Sequence, residues 1–347
     1  MRTPGISDAK EYLTGYKGRK LRLMEVCGTH TASIRQNGIP SFLSDSIQLV
    51  TGPGCPVCVT VSGYIDRLIK LSENPKNVVA VFGDMMRVPG SGVSLMQKKA
   101  EGADIRYVYS PMDILEAASQ DREHDYIFAA TGFETTVPVY AALLSRAEKE
   151  GMKNIKLLTS VKLMPQAIRK VSDGIDGFLA PGHVSVIAGT EDYKTLAEEL
   201  KIPFVISGFR GEELIASIYA LVKMAEKGRA GCLNLYPRAV REDGNRIARE
   251  AVEQYFEKGD VPWRGMGIIP DSGLFLKEQY QRYDAGSRDI YEDLVPSGCR
   301  CPEVITGKIS PGECPLFGGK CTPQNPIGAC MVSVEGACHN ESRGKKV

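Results

Sequence analysis

Eight short apolar runs recur along the chain up to residue 207: "LRLMEV", "IQLV", "VVAVF", "IRYVY", "YIFAA", "IKLLTS", "GFLA" and "FVIS". Continuous apolar runs of this length, rich in Val and Ile, suit strands buried on both faces of a parallel sheet. The stretches between them, such as "YIDRLIKLSEN", "VYAALLSRAEKEG" and "EDYKTLAEELK", carry amphipathic helical spacing. Alternating strand and helix predicts an α/β fold with parallel sheets. Eight strand–helix units can close into one barrel or divide into two open four-stranded sheets. The polar stretch "SQDREHD" at 119–125 falls midway and favours division. This reading places one α/β domain at 1–118, a similar one at 119–230 and a different region at 231–347. In that last region "NLYPRAVREDGNRIAREAVEQYFEKGDVPWRG" reads as one long helix with polar flanks. The tail after it is too rich in Cys, Gly and Pro for long helices or strands.

Charge narrows the function classes. Lys and Arg (43) nearly balance Asp and Glu (42), so no global field draws in nucleic acid or an anionic membrane. No apolar run reaches the roughly 18–20 residues of a membrane span. The opening "MRTPGISDAKEYL" lacks the basic and apolar regions of a signal peptide, so a cytoplasmic location is expected. Ten cysteines then need a role other than structural disulfides, which reducing compartments do not favour. Cys27, Cys55 and Cys58 lie near the start and Cys232 stands alone. Cys299, Cys301, Cys314, Cys321, Cys330 and Cys338 crowd into 40 positions of the tail.

Four groups of residues carry the chemistry. In "MEVCGTHTASI", Cys27 follows a predicted strand, the place where ligand sites collect in parallel sheets, with His30 close by. A thiol there serves as nucleophile or soft-metal ligand, or else is simply buried. In "GPGCPVC", Cys55 and Cys58 have the C-x-x-C spacing of a thiol–disulfide redox pair at a helix start, or of half a zinc site. The loops "FGDMMRVPGSG", "ATGFETTVP" and "APGHVSVIAG" set Asp84 and Arg87, Glu134, and His183 beside glycines after strands. Each loop alone is compatible with ordinary turn chemistry, but three at sheet ends point to a shared cleft. None is a Walker A loop or a dinucleotide fingerprint. Six tail thiols exceed the four that one zinc ion or one 4Fe–4S cluster takes, and they form no C-x-x-C knuckles. Four ligands plus a spare redox pair account for them.

With these groups in view, the chain resembles the HypD family of nickel–iron hydrogenase maturation proteins. The matching stretches are "MEVCGTHT", "GPGCPVC", "GDMMRVPG", "TGFETT", "PGHVS", "WRGMGIIPDSGL" and "CTPQNPIGACMVSVEGAC", in order from about residue 24 to 338. The resemblance implies two similar α/β domains, a 4Fe–4S domain and a role as an assembly scaffold. Such a scaffold works with a small HypC-type chaperone and a HypE-type cyanide donor. Together they build an iron centre carrying two cyanides and one carbon monoxide, destined indirectly for a hydrogenase large-subunit precursor. Carried over by position, Cys27 holds the iron being dressed, and Cys55 and Cys58 form the thiol pair beside it. Cys299, Cys314, Cys321 and Cys338 are the implied cluster ligands, and Cys301 with Cys330 the second redox pair. His30, Asp84, Glu134 and His183 are expected to line the cleft. Two departures from the family pattern stand out. Ala32 occupies a position where many members carry a second histidine, and Arg210 in "SGFRGEEL" reverses a local charge. The rival expectations are a cluster-dependent thiol–disulfide oxidoreductase and a zinc-stabilised binding module.

Overall fold

A computed structural model describes residues 5–344. All eight apolar runs form strands: β1 (Leu21–Glu25), β2 (Ile47–Thr51), β3 (Asn77–Val81), β4 (Ile105–Tyr107), β5 (Asp125–Gly132), β6 (Ile155–Lys162), β7 (Gly177–Pro181) and β8 (Pro203–Ser207). In the central strands alternate residues enter different cores, which is why β3, β7 and β8 are buried throughout, while the edge strands β2 and β4 are partly exposed. Leu21 and Leu23 of β1 pack with Ile34, Leu214 and Ile218 on one face. Met24 faces a central core that also takes Val79 of β3, Ile127 of β5 and Cys301 and Cys330 of the tail. Val78 and Phe128 turn to a third cluster.

The division into open sheets holds, and its membership differs from the sequence reading. One sheet runs β2-β1-β7-β8-β9, where β9 is Gly231–Asn234, and is wholly parallel. The other runs β10-β11-β6-β5-β3-β4, with β10 at Phe256–Trp263 and β11 at Gly267–Leu276. The sheets have five and six strands rather than four each, and neither respects a cut at residue 119. The chain lays down the first two strands of one sheet, builds most of the other, then returns. The outer ends of the first and last proposed domains, 1–4 and 345–347, lie outside the described residues.

The long helix expected over "NLYPRAVREDGNRIAREAVEQYFEKGDVPWRG" is confined to Arg246–Tyr255. Gly244, at φ +67°, breaks the chain before it, and the Asn245 side chain caps it by accepting from the Ala248 N–H. From Phe256 the chain extends into the antiparallel β10–β11 hairpin, bulged between Gly259 and Val261. The hairpin joins the parallel sheet through Gly273 opposite Lys162. A side chain at Gly273 would meet Val261 at 2.3 Å, so the close approach needs glycine. The tail contains short helical turns, among them Cys301–Ile305 and Ala329–Val332, and one eight-residue helix, Ala337–Gly344, and packs into the central core between the sheets. Among the described residues no helix is long and apolar enough to cross a membrane.

Candidate thiol and metal site

Cys27 sits at the end of β1 as the N-cap of the helix Gly28–Gln36. Its buried sulfur faces the N–H groups of Thr29 and His30, which favour a thiolate. Burial outweighs them and, with Glu25 and Glu335 nearby, pushes the thiol up to about 12. The turn is pinned to the neighbouring loop by Gly28 N–H donating to the Gly54 carbonyl (2.9 Å) and Gly52 N–H donating to that of Glu25 (2.7 Å). A Cβ at Gly54 would lie 2.3 Å from the Cys27 nitrogen, so the two backbones touch. That contact sets the "GPGCPVC" loop against Cys27.

Cys55 and Cys58 are joined in a disulfide. Cys55 also caps the short helix Pro56–Val59, its sulfur accepting from the Cys58 N–H at 3.2 Å. The same helix touches both tail turns, Cys301–Ile305 and Ala329–Val332. In those turns the sulfurs of Cys301 and Cys330 lie 3.1 Å apart. Hydrogen bonding between them, with Arg264 beside Cys301, holds Cys301 below the ordinary thiol range and drives Cys330 above it.

The other tail thiols fit the donor set of an iron–sulfur cluster. Cys314, Cys321 and Cys338 are buried and Cys299 half-buried, all four unbridged. Cys299, raised to about 12 by burial first, also feels the charges of Cys301, Cys314 and Cys321. Ile327 N–H donates to the Cys321 sulfur (3.3 Å), and a Cβ at Gly328 would sit 2.8 Å from that of Cys299. Backbone therefore wraps closely around these thiols. Among the described residues no three Cys, His, Asp or Glu side chains converge on one ion position.

The cleft residues divide. Asp84 faces the tail, accepting from the Ser333 hydroxyl at 2.8 Å, and Arg87 donates to the carbonyl of Pro323 at 3.1 Å. His30 and His183 flank one ring: His30 lies 4.8 Å from Phe209, centroid to centroid, and His183 stacks on it at 3.8 Å. His30 Nε2 pairs with the Gly208 carbonyl (3.0 Å), its Nδ1 has no partner, and burial lowers the ring to about 4, so it is neutral. Glu134 is placed apart. One oxygen accepts the Met164 N–H (2.8 Å), and the residue lines a different cavity of about 410 Å³ with Lys258 and Arg249. Exposed Arg210 precedes the helix Gly211–Glu226, where Glu213 accepts the N–H groups of Phe209 and Arg210 (3.0 Å each).

Two acids near Cys27 were not singled out from sequence. Glu25, 2 % exposed, accepts from the Cys27 N–H (3.0 Å) and the Thr31 hydroxyl (2.5 Å), and burial raises it to about 7. An acid at the end of a buried strand, directly before the Cys27 loop, was the available signal. Glu335 comes from the tail to press on Gly28, and Thr29 donates to it at 3.2 Å. Nothing local in "VSVEGAC" marks that contact.

Comparison with known proteins places the chain in a family. The HypD family model, described as "Hydrogenase formation hypA family", matches residues 6–343. The hydrogenase maturation factor HypD of Escherichia coli (strain K12) is 40 % identical over 343 residues, covering 96 % of this chain and 91 % of that protein. The hydrogenase maturation factor HypD2 of Bradyrhizobium diazoefficiens is 42 % identical over 332 residues, covering 91 % and 87 %. The hydrogenase expression/formation protein HupD of Azotobacter chroococcum is 40 % identical over 334 residues, covering 92 % and 88 %. With a match over nearly its whole length, the chain belongs to the HypD family of hydrogenase-formation proteins.

Proposed function

We propose that this hydrogenase maturation factor is the scaffold on which an iron atom, its cargo, acquires two cyanides and one carbon monoxide. Cys27 anchors the iron, with a second thiolate from a HypC-type chaperone, and a HypE-type partner donates cyanide. The finished group passes by way of the chaperone toward a hydrogenase large-subunit precursor. The observation that carries this reading is the order of thiol packing. Cys27 abuts the Cys55–Cys58 loop, and the helix of that loop touches the turns bearing Cys301 and Cys330; Cys338 lies beside Cys330, Cys299 beside Cys301, and Cys314 and Cys321 near Cys299.

A 4Fe–4S cluster on Cys299, Cys314, Cys321 and Cys338 would supply electrons at low potential. The reduced Cys301–Cys330 pair then exchanges with the Cys55–Cys58 disulfide. The Cys301 thiolate attacks one sulfur to give a mixed disulfide, and Cys330 resolves it. Two electrons and two protons pass, leaving Cys55 and Cys58 as a dithiol and Cys301–Cys330 oxidised. The dithiol beside Cys27 is the reductant for cyanide transfer. Because burial keeps Cys27 protonated, iron binding there expels a proton.

The test is infrared spectroscopy of the anaerobically purified chain, co-expressed with its pathway partners, in the cyanide and carbonyl stretching region. Bands that vanish in Cys27→Ala support the scaffold. A brown protein without bands, whose disulfide reductase turnover survives Cys27→Ala, favours the oxidoreductase instead. A colourless protein containing zinc overturns both.

A further inference from the structure

Lys162 ends β6, where the parallel part of the second sheet meets the hairpin. It is 2 % exposed, and its amine lies 6.0 Å from the centre of the Trp263 ring. No described carboxylate forms an ion pair with it. The nearest one acting on it is Asp293, which is already engaged by Gly265 N–H (2.9 Å) and by Arg264 (3.6 Å). Lys162 lines a cavity of about 280 Å³ together with Thr159 and Ser160. The Ser160 hydroxyl, two residues before Lys162 on the same face of β6, makes no hydrogen bond to another described residue, whereas that of Thr159 is shut away from the cavity.

The other charges on the cavity are occupied. Arg288 pairs with Glu257 and lies over Phe275 (4.5 Å). Asp260 accepts the Asp271 N–H (3.0 Å), Asp289 accepts the Tyr291 hydroxyl (3.3 Å), and the Tyr64 hydroxyl donates to the Leu158 carbonyl (2.7 Å). A buried cation without a counter-charge is costly. Burial accordingly lowers the Lys162 amine to about 7, and an anion in the cavity would restore its proton.

We propose that this cavity binds a small monocarboxylate, its oxygens held by Lys162 and Ser160, which share one face of β6. Two oxygens offer enough lone pairs for one ammonium and one hydroxyl. The apolar side of the cavity, formed by Val61, Val261 and Phe275, accepts a short aliphatic substituent. Asp260 and Asp289 on the same lining disfavour dianions. The site shares no residue with the thiol relay, so it stands or falls independently of the iron-dressing role.

The experiment is calorimetric titration of the full-length chain with sodium formate, acetate and propionate, at fixed ionic strength and pH 6.5. Saturable binding is expected, at least tenfold weaker in Lys162→Met and several-fold weaker in Ser160→Ala, which tests the site even if the lysine variant does not fold. Affinity should fall about tenfold from pH 7.5 to 8.5 as the amine loses its proton. Absence of saturable binding by all three carboxylates overturns the proposal. So does binding that neither variant weakens, or tighter binding of sulfate or phosphate.

Discussion

Replacing Glu134 by Gln should make the protein more resistant to unfolding at neutral pH and leave it unchanged in acid. Burial raises this carboxyl from 4.5 to about 7, with Asp192 pushing the same way and the Met164 N–H and Lys258 opposing. Its second oxygen is buried without a partner. A folded-state pKa above the unfolded value means that the native protein holds its proton longer. Stability from this group is therefore whole below about pH 4.5, declines as pH rises and is lost above about 7. At roughly 1.4 kcal/mol per pH unit, that interval amounts to about 3 kcal/mol. Gln keeps an oxygen for the Met164 N–H and never ionises. Urea unfolding of both proteins from pH 4.5 to 8 isolates the effect, because every other titrating group cancels in the difference. The variant should match the parent in acid and exceed it by about 3 kcal/mol at pH 8. A difference that stays flat across this range would refute the claim that Glu134 is held protonated by its surroundings.

Gly54→Ala should lower the urea midpoint through a loss of roughly 1–3 kcal/mol or more, since the added carbon lands 2.3 Å from backbone that cannot move aside. Arg264→Met strips the Thr60 carbonyl of two donors (2.9 and 2.6 Å) and leaves Asp293 unpaired. Unfolding should show a cost of about 3–5 kcal/mol, and adding Asp293→Asn should recover part of it. His30 is held neutral, its ring lowered to about 4, so its contribution is present above about pH 6.5 and lost as pH falls toward 4. In His30→Gln the acid limb of the stability profile should be shallower, and an unchanged limb would contradict the burial argument. Cys314→Ala should bleach the brown colour of the anaerobic protein, as read by its visible absorption and bound iron.

The strands were legible because parallel strands buried on both faces are continuously apolar, as in β3, β7 and β8, while the edge strands β2 and β4 kept enough apolar residues to stand out. The hairpin was not. Gly259, Pro262 and Pro270 interrupt β10 and β11, and the helical spacing of 246–255 ran on by eye into residues that are extended. Strand order was also hidden, because a parallel neighbour is chosen by packing far away in sequence. Nothing local in "GFLA" says that it lies beside "LRLMEV". The thiol corner could be read from C-x-x-C and from Cys27 at a strand end. Glu335, Phe209 and Lys162 could not, since their significance comes only from what surrounds them: a glycine, two imidazoles and an unpaired cavity.

The return of the chain to its first sheet has a consequence for the nascent protein. β3 to β6 are consecutive and can pair as they emerge from the ribosome, but β1 must wait with one edge open until β7 has been translated. The pocket around Cys27 is completed later still, when Glu335 arrives from the tail. A chain released before the tail is made would carry Cys27 and the Cys55–Cys58 pair on an unfinished wall, without their tail partners. The topology thus makes synthesis of the tail a precondition for a closed thiol site.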